Sequence, residues 1–239
     1  MTRKIFSIFK KELKAYFDSP IAYVYLVIFL VTANWFFFKG FYIMNETSLK
    51  NFFVLLPWFF LFLVPAISMR SWPEEQKSGT LEVLLTLPLT DVELVLGKFL
   101  AALSFLGISL LLTLPIAWTA SYLGILDWGP VIGGYVAAIL MGASYLGIGF
   151  FISSFTENQI VAFILSVAAT FALFIIGEPL VTMVLPGWLT PLFQFLGLNQ
   201  HFNNISRGVL DIRDIVYYLS MITVFLYLNV KVLESRQWR

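Results

Sequence analysis

Long apolar runs alternate with short polar breaks along this chain, and the spacing of the breaks predicts six membrane-spanning helices. A spanning helix needs about 20 consecutive, mostly apolar residues. Runs of that kind extend from Ile21 to Ile43, Phe52 to Met69, Leu94 to Leu123, Pro130 to Phe155, Ile160 to Gly177 and Ile215 to Leu233. Punctuation at their edges agrees. Ser19-Pro20 sets a capping hydroxyl ahead of a proline suited to a first helical turn. Thr90-Asp91-Val92-Glu93 fits a capping box with Leu89 and Leu94 as its staple, and Thr156-Glu157-Asn158-Gln159 repeats the device with Phe155 and Ile160. Pro57, Pro65 and Pro115 each remove a backbone donor and predict kinks in the second and third helices, whether as hinges or as static shape.

Three segments outside the spans carry patterns of their own. Before the first span, Ile5, Phe6, Phe9, Leu13, Tyr16 and Phe17 recur at helical spacing while Lys4, Lys10, Lys11 and Lys14 take the remaining surface. Such a basic amphipathic helix lies in the headgroup layer, either as an anchor that fixes topology or as an elbow that also touches a partner. Between the second and third spans, Gly79 and Thr80 interrupt a polar start, Leu81, Leu84 and Leu85 form an apolar face, and Pro88 stops the turn. Glu74, Glu75 and Glu82 fall in or just before the first turns of this short helix, where the helix dipole favours them. A helix bound to anionic lipid is normally basic, so the carboxylates favour a protein partner with basic groups over a membrane surface. Residues 179–198 are apolar but broken by Pro179, Pro186, Gly187, Pro191 and Gly197, which predicts a re-entrant or interfacial hairpin at the outer side. Non-helical backbone at membrane depth needs protein or a water-filled cavity around it. The polar run from Asn199 to Asn204 is expected to return to the outer surface.

Composition fixes the solvent. Of 239 residues, 59% are hydrophobic and 18% aromatic against only 12% charged, far from globular usage, so the chain is an all-α membrane protein with lipid around it. Basic residues orient it, since cytoplasmic loops retain Lys and Arg. Arg3, Lys4, Lys10, Lys11, Lys14, Arg70, Lys77, Lys98, Lys231, Arg236 and Arg239 fall on one side, and only Lys39, Lys50, Arg207 and Arg213 on the other. Eleven against four places both termini in the cytoplasm. The first apolar segment is too long for a signal-peptide core and lacks a small-residue cleavage site, so the N-terminus is expected to be retained. With no cysteine, disulfide and thiolate chemistry is excluded.

Catalytic patterns in the sequence are weak. There is one histidine, no HExxH and no phosphate-binding loop; Gly97-Lys98 looks like the end of one but lacks the upstream glycine. Ser144 and His201 belong to opposite sides of the membrane and cannot act together. No cofactor and no nucleic acid is expected. Gly134, Ala138 and Gly142, with Ala143 and Gly147 beside them, and then Ala162, Ser166 and Thr170, set small residues at the spacing that lets helices approach closely. Asn34 within the first span and Glu178 at the end of the fifth remain as polar candidates for a pathway or an outer lid. Glu178 is read either as an interfacial carboxylate or as one lining a cavity.

Taken together, six spans, the basic amphipathic N-terminus, the Gly79-Thr80-Leu81-Glu82 loop and the broken hairpin resemble the membrane subunit of an ABC-2 type ABC transporter, over the whole chain. Residues 75–88 followed by Gly97-Lys98 are the most specific part, and 211–239 look most like the branch associated with bacterial gliding motility. The resemblance implies a single ABC-2 transmembrane domain over 1–239, with an elbow helix at 1–19, a coupling helix within 73–89 and the hairpin at 179–198. It implies that Glu75, Gly79, Thr80, Glu82, Leu84, Leu85 and Pro88 dock on a separate ATPase subunit, which would hold the ATP and magnesium. Two permease chains, identical or not, would form the pathway in the bacterial inner membrane, with a periplasmic accessory protein as a further partner. The cargo would be a lipid, glycan, peptide or drug-like molecule. The competing reading from another class is a membrane scaffold or sensor that anchors a cytoplasmic protein without transport. A secondary transporter is disfavoured by the scarcity of charges in the spans.

Overall fold

A computed structural model describes residues 2–44, 48–80, 82, 84 and 89–237. Among them the fold is all-helical, with no strand. The helices are α1 (Thr2–Asp18), α2 (Pro20–Met44), α3 (Lys50–Ser68), α4 (Pro73–Lys77), α5 (Asp91–Leu111), α6 (Leu114–Leu123), α7 (Trp128–Ser153), α8 (Gln159–Ile175), α9 (Pro179–Thr182), α10 (Thr190–Leu196), α11 (Leu198–Ser206) and α12 (Ile212–Gln237).

Among the described residues, five stretches are long and apolar enough to cross a membrane: Pro20–Ile43, Lys50–Lys77, Asp91–Leu123, Trp128–Ser153 and Ile212–Ser235. The expected fifth of six, α8, has 17 residues. At about 1.5 Å per residue it extends about 26 Å, short of the roughly 30 Å hydrocarbon core.

α7 is the axis of the bundle, because its small residues let four neighbours reach its backbone. The ring of Phe53 from α3 covers Gly134, Leu106 of α5 fills the space at Gly142, and Ser68 of α3 lies against Gly149. α12 passes over Gly147 through Ile222 and Phe225, and the backbone of Ile205 closes on Gly133. α8 turns Ala162, Ser166 and Thr170 inward, and all three are fully buried. The predicted small-residue faces are thus helix contacts.

These contacts define two ends of the bundle. One gathers α1, α4, the start of α5, the end of α7 and the last turns of α12, where Asn229 Nδ2 donates to the Phe150 carbonyl at 2.6 Å. The other gathers the starts of α3 and α7 with α11, through Phe53 against Tyr135 and Gly133 against Ile205. α8 begins just after the end of α7, and its far end meets α11, where Gln200 Nε2 donates to the Gly177 carbonyl at 2.7 Å.

Three local expectations change. The third predicted span is not one helix: it breaks between Leu111 and Leu114, ahead of Pro115, and the Thr113 hydroxyl bonds the Leu110 carbonyl and the Tyr135 hydroxyl. Pro57 and Pro65 stay inside a continuous α3. The capping box at Thr90 forms as expected, with both reciprocal bonds to Glu93, whereas α8 is capped by Asn158, whose Oδ1 accepts from Ile160 N at 2.9 Å, and not by Thr156. Asparagine is as good a cap as threonine and stands two residues nearer the apolar run. The polar run 199–204 lies in α11, which buries His201, Phe202 and Ile205 and leaves Asn204 exposed.

Candidate functional site

Charge enters the apolar framework at the basic end, around α4. On α5 the inward stripe Val95, Lys98, Ala102 and Phe105 follows three- and four-residue spacing, so Lys98 projects into the bundle and is only 3% exposed. Its ammonium donates to Glu75 Oε1 of α4 at 2.6 Å, to Glu12 Oε1 of α1 at 3.1 Å and to the Ser71 carbonyl at 3.3 Å. Three donors meet three acceptors. The same nitrogen lies 5.3 Å from the ring of the buried Trp72, within cation–π range. An isolated buried ammonium costs several kcal/mol, and this arrangement offsets that cost only while α1, α4 and α5 stay together.

Other bonds tie α4 further. Arg70, just before it, donates from Nη1 to Ser19 Oγ at the α1–α2 junction and from Nε to Glu74 Oε2, at 3.0 and 3.3 Å. Gln76 Nε2 reaches the Ser154 carbonyl after α7 at 3.3 Å. The Tyr16 hydroxyl donates to the Ile67 carbonyl at the end of α3. Burial, reinforced by the nearby Glu12 carboxylate, holds that hydroxyl above the usual phenol range, so it stays a neutral donor. A crevice of about 200 Å³ opens among Glu12, Tyr16, Arg70, Glu74, Glu75 and Lys98. One short helix is therefore wired to the junction of α1 and α2, the end of α7 and the start of α5.

Beyond α4 the chain turns outward. Gly79 has φ +70°, a left-handed conformation that ends the helix and suits glycine. The Ser78 hydroxyl accepts or donates across 2.8 Å to Thr80, and both bond back to carbonyls of α4. Thr80 and Glu82 are exposed. Leu84 is half-buried in a groove with Ile8, Leu89 and Leu94, so it packs on α1 and α5. Leu85 and Pro88 lie outside the described residues. Of the expected docking residues, Glu75 faces inward to Lys98, while Thr80 and Glu82 face out.

Asn34 and Glu178 are not brought together. Asn34 donates to the Leu30 carbonyl of its own helix at 2.7 Å and lines an apolar groove on the outward face of α2 with Trp35, Phe38 and Tyr42. Glu178 Oε1 accepts from Asn199 Nδ2 at 2.5 Å, closing the base of the 179–198 segment. The tip of that segment is open: Met183, Val184 and Trp188 are strongly exposed. Behind its base, His201 Nδ1 meets Asp214 Oδ1 at 2.6 Å and Nε2 meets the Phe195 carbonyl at 2.8 Å, with the ring stacked on Tyr217. Both ring nitrogens face an oxygen atom, so the ring is held in place from both sides.

Sequence reasoning missed Glu12 and the burial of Lys98, which it counted as one more topological charge. A signal existed. Glu12 stands four residues after Ile8 and four before Tyr16, on the apolar stripe of α1, and Lys98 sits on the apolar stripe of α5. A charge on a buried stripe demands a partner.

These features define a multi-pass helical membrane protein with a charged latch at one end of its bundle. The family model described as ABC-2 family transporter protein matches residues 6–238, and the chain belongs to that family. It is accordingly the membrane component of an ABC transporter, not itself catalytic, and family membership implies an ABC ATPase subunit as partner. Comparison with curated proteins finds no match.

Proposed function

We propose that this permease is driven through the segment that begins at α4, which docks on the ATPase and passes its movement into the bundle through Lys98. The observation that carries the reading is the wiring of α4. Glu75 and Gln76 connect it to α5 and to the end of α7, while Thr80 and Glu82, just beyond, face outward. A push on Glu82 would be transmitted through the hydrogen-bonded Ser78–Thr80 turn to α4 and from there to three helices at once. α1 takes the part of an elbow helix, with Ile8 against Gly97 and Phe6 turned outward.

On this reading α8 is a sixth crossing, because it connects the two ends of the bundle despite its length; a shortfall of a few ångströms is met by local thinning of the bilayer or by the polar residues at its ends. Both termini are then cytoplasmic in a bacterial inner membrane. A second permease chain, identical or not, covers the outward face of α2, the 179–198 hairpin lies at the outer mouth, and a periplasmic protein is a further partner. Cargo is a lipid, glycan, peptide or drug-like molecule that leaves the cell. Likeness of 211–239 alone supports the gliding-motility branch.

Copurification tests this. An ABC ATPase from the host membrane should be recovered with the parent chain, and Glu82→Lys should reduce that recovery several-fold while membrane insertion is unchanged. Equal recovery with the substitution would refute docking at this segment.

A further inference from the structure

Arg70 separates two crevices of opposite character. On one side lie the carboxylates of Glu12, Glu74 and Glu75 around Lys98. The other crevice, also about 200 Å³, has no carboxylate in its lining and runs between Ile21, Val24 and Ile28 of α2 and Leu63, Ala66 and Ile67 of α3. Ile21, Val24 and Ile28 are each more than half exposed, so this slot opens sideways, toward whatever surrounds the bundle. Its polar members are few: Arg70 and Ser19 at the α1–α2 junction, Tyr16 beside them, and Tyr25.

Tyr25 is the telling one. Its side chain is packed on Phe105 and Phe29, with the residue 7% exposed, yet its hydroxyl has no hydrogen-bond partner. Buried hydroxyls nearly always find one. Arg70 uses Nε for Glu74 and Nη1 for Ser19, and a guanidinium has five donors, arranged as a planar fork that suits phosphate oxygens.

We propose that this slot binds one anionic phospholipid from the leaflet at the basic end of the bundle. One acyl chain lies along the α2–α3 wall, the phosphate meets Arg70 and Ser19, and the Tyr25 hydroxyl donates to an ester or glycerol oxygen below the headgroup. An amphiphile with an anionic head is the chemistry that fills all three features: an apolar lateral slot, a cation at its rim and an unmet donor within. The exposed Lys10, Lys11 and Lys14 of α1 add attraction for an anionic leaflet. The assignment does not depend on ATPase docking.

Native mass spectrometry of the purified chain in a maltoside detergent is the test, with dioleoyl phosphatidylglycerol, dioleoyl phosphatidylcholine and glycerol phosphate added separately. Phosphatidylglycerol should be retained at one per permease, about tenfold more strongly than phosphatidylcholine, whose phosphate is accompanied by a quaternary ammonium that Arg70 and the α1 lysines repel. Glycerol phosphate, which has the anion without the chains, should not be retained. Tyr25→Phe keeps the ring and should lower retention about threefold to tenfold without lowering the melting temperature. Ala66→Phe should fill the slot and abolish retention. Equal retention of the two lipids, or unchanged phosphatidylglycerol binding in Tyr25→Phe, would overturn the assignment, as would loss of the lipid on self-association, which would make a second copy the occupant. Should Ala66→Phe fail to fold, the isosteric Tyr25→Phe decides alone.

Discussion

Lys98→Met removes the buried cation that bonds α1 and α4 from α5 and leaves Glu12 and Glu75 facing each other. The contacts are 3.1 and 2.6 Å long, and the two carboxylate side chains are 21% and 14% exposed. At an effective dielectric of about 20, each is a Coulomb term of roughly 5 kcal/mol, most of it offset by the desolvation of the charges. Breaking a buried ion pair from one side costs about 3–5 kcal/mol; partial exposure of the carboxylates puts Lys98→Met near the lower end, at about 3 kcal/mol. Glu12→Gln is far milder, at about 1 kcal/mol, because Glu75 still neutralises the ammonium. In the double variant Lys98→Met with Glu75→Gln the cost should fall below the sum of the single changes by about 1–3 kcal/mol, since the second change relieves a carboxylate that the first has orphaned. Equilibrium unfolding in mixed dodecyl sulfate and maltoside micelles, followed by tryptophan fluorescence, measures all four. Costs for Lys98→Met and Glu12→Gln that are equal and below about 1 kcal/mol, or strict additivity in the double variant, would refute the latch and make the triad a solvent-screened surface cluster.

The remaining predictions concern packing and assembly. Gly97→Ala places a Cβ 2.6 Å from Ile8 Cγ2 and 3.3 Å from the Ile5 carbonyl, so despite the roughly 1 kcal/mol that alanine gains in a helix it should loosen α1, seen as faster proteolysis within 2–18 while the bundle core stays resistant. Asn229→Leu removes the bond to the Phe150 carbonyl together with an oxygen that has no partner, so it should cost about 1 kcal/mol or less; a loss above about 3 kcal/mol would show that the pair matters more than its neighbours imply. Because the chain has no cysteine, Trp35→Cys on the exposed face of α2 should give a disulfide-linked dimer on oxidation in membranes if a second permease covers that face, whereas Tyr122→Cys, 92% exposed at the end of α6, should not.

Hydrophobic periodicity determined that this chain is helical and lipid-solvated, where most apolar helices lie, and which small residues face a neighbour, because those features depend only on local spacing and composition. The Thr90 capping box was legible for the same reason: its two bonds close within four residues. Tertiary structure decided what each charged residue is for. Glu12 and Glu75 are separated by 63 positions and meet only because Gly97 lets α1 lie flat on α5 beside Lys98, and no periodicity encodes such a meeting. It also decided that Glu75 faces inward while Glu82 faces out, that Leu84 packs on the chain itself, and that α11 buries His201, Phe202 and Ile205, with the Ile205 backbone against α7 at Gly133. Pattern reports the burial each residue prefers; the partner that makes a buried charge or hydroxyl tolerable is a property of the assembled bundle alone.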